Sequence, residues 1–550
     1  MPRYVHQVFP YRRPPEFARE GMRHPVVVVG AGPVGLVAAI DLAQRGHKPI
    51  VLDEDSRVST GSRAICYAKR TLEILDRLGC AESVVAKGVQ WSVGRVFFRD
   101  ALAYRFDLLA ERGHRRPAFV NLQQYYFEHY LVERARELGV DVRWQQKVVG
   151  VRPGHMGAGL DIETPEGGYR IDADWLVVAD GARSGVRGLL GLDTEGQVFR
   201  DRFLIADIRM TSSFPTERWF WFDPPFHPGQ SVLLHRQGDD IWRIDFQLGW
   251  DADPELEKSA QRIIPRLRAM LGPDAQFELE WASVYTFQCR RMQHFRHERV
   301  IFCGDAAHVV SPFGARGANS GVQDADNLAW KLDFVIRGIA PERLIDTYDH
   351  ERVLAADENI LQSTRSTDFI TPKSAISRVF RDAVLELARD HAFARRLVNS
   401  GRLSVPAVHV SSPLSTPDVD GEFATGRNAM VPGTPALDAP VHGSCGSWLL
   451  EYIGGEFTLL TFGATIDATD AQRLAEGSIP LRIVQVGGAA VAGVVRIEDH
   501  EGLLARRYDA HENTCYLFRP DQHVCARWRK PEVAGIEAAI ARATANDRLF

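Results

Sequence analysis

Apolar residues fall into two rhythms along this 550-residue chain, and the switches between them mark its elements. Val26–Val29 is an unbroken β-branched run that stops at Gly30-Ala31-Gly32-Pro33-Val34-Gly35. Leu36, Val37, Ala39, Ile40 and Leu42 then recur at helical spacing until Gly46. The pattern predicts a buried strand, a tight turn and a helix. Pro49–Leu52 predicts a second short strand that ends in acid at Asp53 and Glu54. Alternation from Trp91 to Phe106 predicts a strand pair. Phe119–Gly139 reads as a helix with Leu122, Phe127, Tyr130, Leu131 and Ala135 on its apolar side. A strand from Asp141 and a hairpin around Gly167-Gly168 lead to Trp175–Ala179, an apolar strand that delivers Asp180-Gly181.

Residues 190 to 290 change texture to short alternating strands. Along one of them Arg243, Asp245 and Gln247 share a face opposite Trp242, Ile244 and Phe246, so one face can line a polar-rimmed cavity. A strand over Val300–Cys303 then ends at Gly304-Asp305. A loop with Pro312, Gly314, Gly317 and Asn319 feeds a helix expected from about Gly321 to Ile336, and helical stretches follow over 341–369 and 374–398. The fold expected is α/β. A Rossmann-like dinucleotide-binding domain spans 26–190 and 290–400, with a β-rich domain inserted over 191–289 and an N-terminal arm over 1–25. Residues 401–446, rich in Pro, Gly, Ser and Asp, read as a linker to a small α/β domain over 447–550.

The length fits two or three domains. A net charge of −5 and the lack of a long basic run argue against a nucleic-acid partner. Seven scattered cysteines with no C-x-x-C pair read as reduced thiols of a cytoplasmic protein. They form neither a disulfide framework nor a zinc site, and no bound metal is expected. No apolar stretch reaches membrane-spanning length. The first 25 residues are basic and Pro-rich without an apolar core, unlike a secretory signal.

The candidate chemistry begins at the first glycine turn. Glycines let backbone N–H groups approach a pyrophosphate at a helix N-terminus, and Asp53 stands where a carboxylate would grip a ribose hydroxyl. The loop after it carries Gly61, Arg63 and Lys69 and suits a segment folded over phosphate. Asp180, with Ser184 and Arg187 behind it, and Asp305 are acids at strand ends, where open α/β sheets bind ligands. The turn at Pro312–Asn319 aims a second helix N-terminus at something electron-rich.

Three separated motifs, GAGPVG at Gly30–Gly35, ADGARSGVR at Ala179–Arg187 and GDAAHVVSPFGARGAN at Gly304–Asn319, together resemble one family. These are the single-component flavoprotein monooxygenases, aromatic hydroxylases akin to p-hydroxybenzoate hydroxylase. The likeness is greatest to the longer phenol hydroxylase and 3-(3-hydroxyphenyl)propionate hydroxylase type. The resemblance implies bound FAD, transient NADPH or NADH, O2, and hydroxylation of a phenolic or other electron-rich small aromatic through a flavin C4a-hydroperoxide. It places Gly30, Gly32, Pro33 and Gly35 at the pyrophosphate, Asp53 and Glu54 at the adenosine ribose, and Arg63 and Gln124 at the phosphate and ribitol. Asp180 and Gly181 would serve FAD and nicotinamide, Gly304 and Asp305 the ribityl chain, and Gly314, Gly317, Ala318 and Asn319 the pyrimidine edge, with Pro312 also contacting the cofactor. Arg243, Tyr285 and Pro312 are the catalytic candidates, with Arg243 meeting an anionic or phenolate substrate. His308 is expected to be structural. The C-terminal domain resembles a thioredoxin-like domain without its redox pair, used for homodimer contact.

Some phenol hydroxylases carry a substrate-deprotonating acid in the loop after Arg63, where this chain has Ala64-Ile65-Cys66-Tyr67. Two other readings remain. Trp219-Phe220-Trp221-Phe222-Asp223-Pro224 approximates a segment of flavin-dependent halogenases, and a flavoprotein could bind an aromatic ligand without turning it over.

Overall fold

The computed structural model describes residues 4–19, 21–398, 403–418, 423, 429–463 and 466–547. In chain order the elements that position the site are β1 (Met22–Val29), α1 (Pro33–Gln44), β2 (Ile50–Asp53), β3 (Val93–Phe98), β4 (Ala101–Asp107), α2 (Gln124–Glu137), β5 (Asp141–Trp144), β6 (Gly167–Val178), β7 (Glu195–Arg209), β8 (Arg218–Phe222), β9 (Ser231–Arg236), β10 (Ile241–Gln247), α3 (Ala260–Leu271), β11 (Glu278–Arg291), β12 (Val300–Phe302), α4 (Gly317–Ile336) and α5 (Asp346–Ile370).

The first sheet is parallel at its centre in the order β12-β6-β1-β2-β5. Its strands are buried on both faces, which is why Val26–Val29 and Trp175–Val178 read as continuous apolar runs. α1 packs between α4 and α2. The strand begins four residues before Val26, with Met22–His24 already paired to β6, so the expected N-terminal arm is shorter than 25 residues. Glu16, in a turn of 3-10 helix, anchors that arm on Arg143 at 3.0 Å.

The second sheet runs β11-β7-β10-β9-β8-β3-β4, with His308–Val309 beyond β11. The strand pair at 93–107 therefore belongs to this sheet, joined through parallel pairing of β3 with β8, and not to the dinucleotide domain in which its sequence position placed it. α3, a helix among residues expected to be mostly strand, covers the outer face. Its Ile263 and Leu267 pack with Leu204, Trp242, Ile244 and Phe246. α4 starts at Gly317, a turn earlier than its apolar pattern suggested.

After the stretch expected to be a linker, parts of which lie outside the described residues, a six-stranded sheet contains Phe457–Phe462 parallel to Leu481–Val486 and antiparallel to Cys515–Phe518. It docks on α4, where Trp330 and Phe334 meet Phe457, Leu459 and Leu517. Beside that apolar contact lies a buried ionic seam. Glu351 of α5 accepts from Lys331 at 2.8 Å and from Arg519 at 2.5 Å, and Arg519 also donates to Asp521 at 2.6 Å. Burial would push the Glu351 pKa up, but Arg519 and Lys331 outweigh it and hold the carboxyl well below its ordinary range.

Removing one partner from such a seam leaves a buried charge unpaired, so Arg519→Leu should cost about 3–5 kcal/mol. Arg473→Ala, which breaks the exposed pair with Glu537, should cost at most about 1 kcal/mol. Urea midpoints of the two variants check the difference.

Candidate functional site

β1, β6 and β12 end in the same layer, because Val29 pairs with Val178 and Val178 with Phe302. The residues after each strand therefore emerge side by side. Gly30 N–H donates to Leu52 O at 2.7 Å, Ala179 N–H to Val29 O at 2.8 Å, and Cys303 N–H to Val178 O at 2.9 Å. Gly30 has φ +106°, and a Cβ there would stand 2.4 Å from Ala179 O; one on Gly35 would stand 2.0 Å from Gly30 O. These two glycines serve the fold's own packing. Gly32 differs, since a Cβ there meets nothing within 4 Å and would project into the cavity in front of α1. A phosphate would fit there, at the helix N-terminus that Pro33 opens.

Asp53 Oδ2 accepts from Ala31 N at 2.6 Å and its Oδ1 from Asp55 N at 2.8 Å, so the carboxylate braces the glycine turn as well as lining the cavity. Burial pushes its pKa up to about 6 against those two hydrogen bonds. Glu54 pairs with Lys147 at 3.0 Å, both largely exposed at the rim. Arg63 is exposed on the same cavity. The Gln124 side chain is engaged with the protein: its Oε1 accepts from Ala64 N at 3.0 Å and its Nε2 donates to Glu128 at 2.7 Å, fixing the loop that carries Arg63.

The second and third motifs are tied together. Ser184 caps the short helix Gly185–Leu189 by accepting from Arg187 N at 3.0 Å. The Arg187 guanidinium donates to Ala182 O at 2.9 Å and, across the site, to Ala306 O at 2.7 Å. Asp180 Oδ2 accepts from Val186 N at 3.1 Å, while its Oδ1 is buried without a partner. Burial raises the pKa of Asp180. Gly181 has φ +81° and takes the chain out of the strand.

Gly304 (φ +60°) lets the third turn press against Val34 of α1. The turn is pinned by Asp324, which accepts from Gly304 N at 2.9 Å, His308 Nε2 at 2.7 Å and Arg352 at 2.6 Å. His308 is structural, and Asp324 was not singled out in the sequence because it sits inside an ordinary helical pattern. The Asp305 carboxylate opens onto the cavity although it lies deep in the fold, where burial raises its pKa. Pro312, Gly317 and Ala318 line the same wall. Gly314 leaves room for the Arg316 side chain. The Asn319 side chain accepts from Ala68 N at 2.8 Å and Thr71 at 2.7 Å and donates to Cys66 O and Ala315 O. It has no hydrogen-bonding capacity left for a ligand, so only the backbone of Asn319 is available to one.

The cavity, about 750 Å³, continues from these turns onto the inner face of the second sheet. Phe203, Ile205, Leu233, Arg243, Asp245, Tyr285 and Phe287 line it. Arg243 lines the cavity, but most of its guanidinium is engaged within the protein. Its Nε and Nη2 form a bidentate pair with Asp207 at 2.8 Å each, and Nη2 and Nη1 reach the carbonyls of Ser62 and Arg63. It is a strut between the sheet and the Arg63 loop, made so by Asp207, which sits opposite it on β7. Tyr285 faces the cavity, with the Arg63 guanidinium 6.0 Å from its ring. Sequence patterning gave no role to Arg218, placed Asp245 only on the face that can line a cavity, and left His235 as a residue able to contact a substrate; all three line the cavity. Two residues on from Arg243, Asp245 holds its carboxyl in the wall with no hydrogen-bond or ion-pair partner shown, and Oδ1 is buried and unsatisfied. Burial pushes its pKa up to about 7 against the pull of Arg243 and Arg218. Among the described residues no group of His, Cys, Asp and Glu could hold a metal ion.

The open space before Gly32, the unpartnered Oδ1 of Asp180 and the two helix N-termini on one elongated cavity fit a dinucleotide such as FAD. Gly32→Val should fold normally by circular dichroism yet lose at least about tenfold in flavin retention, read from visible absorbance of the purified protein. Asp245 sets a second expectation. Its carboxyl titrates at a higher pH in the folded chain than in the unfolded one, so it weakens the fold progressively as pH rises from the unfolded carboxyl range toward 7. Asp245→Asn should match the parent near pH 4 and exceed it by about 3 kcal/mol at pH 8 in urea unfolding.

Comparison with known proteins accords with this geometry. Residues 23–363 match the family described as FAD binding domain. The chain is 33% identical over 534 residues to 6-methylpretetramide 4-monooxygenase of Streptomyces rimosus, spanning 94% of this chain and 92% of that one. It is 26% identical over 522 residues to 3-(3-hydroxy-phenyl)propionate/3-hydroxycinnamic acid hydroxylase of Klebsiella pneumoniae, spanning 91% of each. Its fold matches, at TM-score 0.81 and 22% identity, the flavin-dependent monooxygenase PieE, crystallised with FAD and substrate, over 96% of this chain and 100% of that one. Converging strand ends and near-full-length likeness lead to one assignment: the chain belongs to the FAD binding domain family, among its flavin-dependent monooxygenases.

Proposed function

We propose that the chain uses FAD, NADPH or NADH, and O2 to hydroxylate a phenolic aromatic substrate. The observation that carries this reading is the continuity of one cavity from the glycine turns of the first sheet to the aromatic and polar inner face of the second. FAD, when bound, supplies the reductive activation of O2. The protein binds and orients. The α1 N-terminus with Gly32 would hold the pyrophosphate, Asp305 the ribityl hydroxyls, and the backbone from Gly314 to Asn319 at the head of α4 would favour negative charge on the reduced ring. Phe203, Leu233, Phe287 and Phe313 keep the substrate half apolar and exclude water. Arg63 and Arg183, exposed on the cavity wall, support transient docking of an anionic nicotinamide cofactor.

Three further parts of this reading rest on particular features. The mixed C-terminal sheet supports a thioredoxin-like domain, and the burial of Cys515 and Cys525 speaks against a redox role for it. Ile376, Val379, Phe380 and Phe393, exposed along the helices Ala375–Leu387 and Ala392–Leu397, give a homodimer an apolar surface. The seven free cysteines suit the cytoplasm. Among the described residues no helix is long and apolar enough to cross a membrane. Halogenation is disfavoured. Trp219 and Trp221 pack against Phe97, Phe214 and Phe226, and neither indole lines the cavity.

The test is a panel of phenols mixed anaerobically with holoprotein and NADPH or NADH, followed by O2. The expected result is faster flavin bleaching with the right phenol and a product carrying one oxygen atom from isotopically labelled O2. Equal bleaching with and without every phenol, or peroxide as the sole oxygen product, would overturn the reading. A chlorinated product would favour the halogenase.

A further inference from the structure

We propose that Asp245, which shares the cavity wall with Arg218, is the catalytic base that takes the proton from a phenolic hydroxyl of the substrate. This rests on the functional reading above and adds to it the residue that activates the ring. The acids lining the cavity otherwise belong to the nucleotide side: Asp53, Glu54, Asp55, Glu128, Asp180 and Asp305. Among the described lining residues of the second sheet, Asp245 is the one carboxylate.

Its surroundings are those of a poised base. The neighbours paired with it in the sheet are Ile205 on β7 and Leu233 on β9, both apolar and both in the cavity wall. Arg243, on the same strand, already has its charge balanced by Asp207. Arg218 on β8 is buried, donates through Nη2 to Phe313 O at 3.3 Å, and keeps Nη1 buried without a partner. Arg218 thus hangs from the turn that carries Pro312 and lines the same cavity as Asp245, with Nη1 buried and unpaired. A pocket with an orphaned acceptor, an orphaned cationic donor and aromatic walls suits a ring bearing an ionisable hydroxyl.

Competing bases are accounted for. His235 on β9 has its Nδ1 4.0 Å from the Cys66 sulfur, and burial followed by the Arg218 and Arg243 charges holds its pKa far below the ordinary value. Burial pushes the Cys66 thiol up to about 11. Tyr67 is stacked on Phe127 at 4.1 Å, and its burial raises its pKa well above the ordinary value. Tyr285, across the cavity, has its pKa raised by burial. Asp245, pushed up to about 7, can accept a proton near neutrality.

The step balances without an oxidant or reductant. The phenolic O–H bond breaks, an Oδ–H bond forms on Asp245, and the electron pair stays on the phenolate oxygen beside Arg218. The net charge of the site is unchanged, and the ring becomes the more electron-rich species that an electrophilic oxygen donor requires.

4-Nitrophenol, titrated into the oxidised holoprotein without nicotinamide, is the probe. At alkaline pH both Asp245 and the free probe are ionised, so sharing one proton between them requires uptake of about one proton per ligand bound. Calorimetry in two buffers of different ionisation enthalpy should show that uptake in the parent and none in Asp245→Asn. The parent's affinity should fall about tenfold per pH unit in that range, while that of Asp245→Asn stays flat and becomes the tighter. Arg218→Gln should weaken phenolate binding in both backgrounds, with flavin absorbance reporting that each variant is folded. In turnover, Asp245→Asn should lose about a hundredfold on weakly acidic phenols and far less on 4-nitrophenol, which ionises unaided.

Equal proton uptake in parent and Asp245→Asn, or none in the parent, would overturn the assignment, as would failure of the parent to bind the probe. Because uptake is read without turnover, intact uptake with no hydroxylation of any phenol would instead sink the functional reading alone.

Discussion

The in-register ending of three parallel strands is the constraint on which the site depends. Val29, Val178 and Phe302 share one layer across the sheet, so Gly30, Asp180 and Asp305 leave it as neighbours although they lie far apart in the chain. A slip of one strand would move its terminal acid out of the cavity and turn every side chain of that strand to the other face. Register in turn is held by burial on both faces, since α1 and α4 cover the sheet and exclude any shifted pairing. The chemistry of the site is thus a by-product of a packing solution, with Arg187 and Asp324 as the pins that keep two of the turns in place.

Much of this was legible in the chain itself, for a local reason. A tight turn at Gly30, a left-handed residue at Gly181 and a close approach at Gly304 each demand glycine beside a strand, so backbone geometry writes itself into short motifs. The substrate side is different. Whether Arg243 is free or tied depends on what stands opposite it on β7, and alternation along β10 cannot reveal that the answer is Asp207. The same alternation put Asp245 on the correct face without showing that its carboxyl has no partner. The pair β3–β4 was recognisable as strands, but its membership of the second sheet rests on contact between Val93–Phe98 and Arg218–Phe222, which local periodicity does not encode. Gln124 and Asn319 carry structural duties that the sequence did not reveal. Both line the cavity, yet the Asn319 amide is fully engaged in holding loops and the Gln124 amide largely so.

The two halves of the cavity are mechanically connected. Arg243 links the second sheet to the carbonyls of Ser62 and Arg63, and Gln124 with Glu128 holds the same loop from the side of the first sheet. Asn319, at the head of α4, joins that loop's continuation to the Pro312 turn. A displacement of the inner face of the second sheet would therefore reach the Ser62–Arg63 loop through these hydrogen bonds. It does not need to act through the flexible Arg63 side chain.

The ionic seam at Glu351 bears on how the chain is made. Glu351 obtains its principal cation from Arg519, 168 positions later. During synthesis α4 and α5 leave the ribosome long before that guanidinium exists. Until it does, Lys331 is the cation bound to Glu351, beside neutral hydrogen bonds from Asn327 and Ser412, and the apolar surface of Trp330 and Phe334 lacks its cover from Phe457 and Leu517. The cofactor domain can form its sheet early, but its final closure waits for the C-terminal strands. A translation pause between the two stretches would hold the nascent chain with that surface exposed, which makes the interval between residues 351 and 519 the one in which chaperone capture matters most for yield.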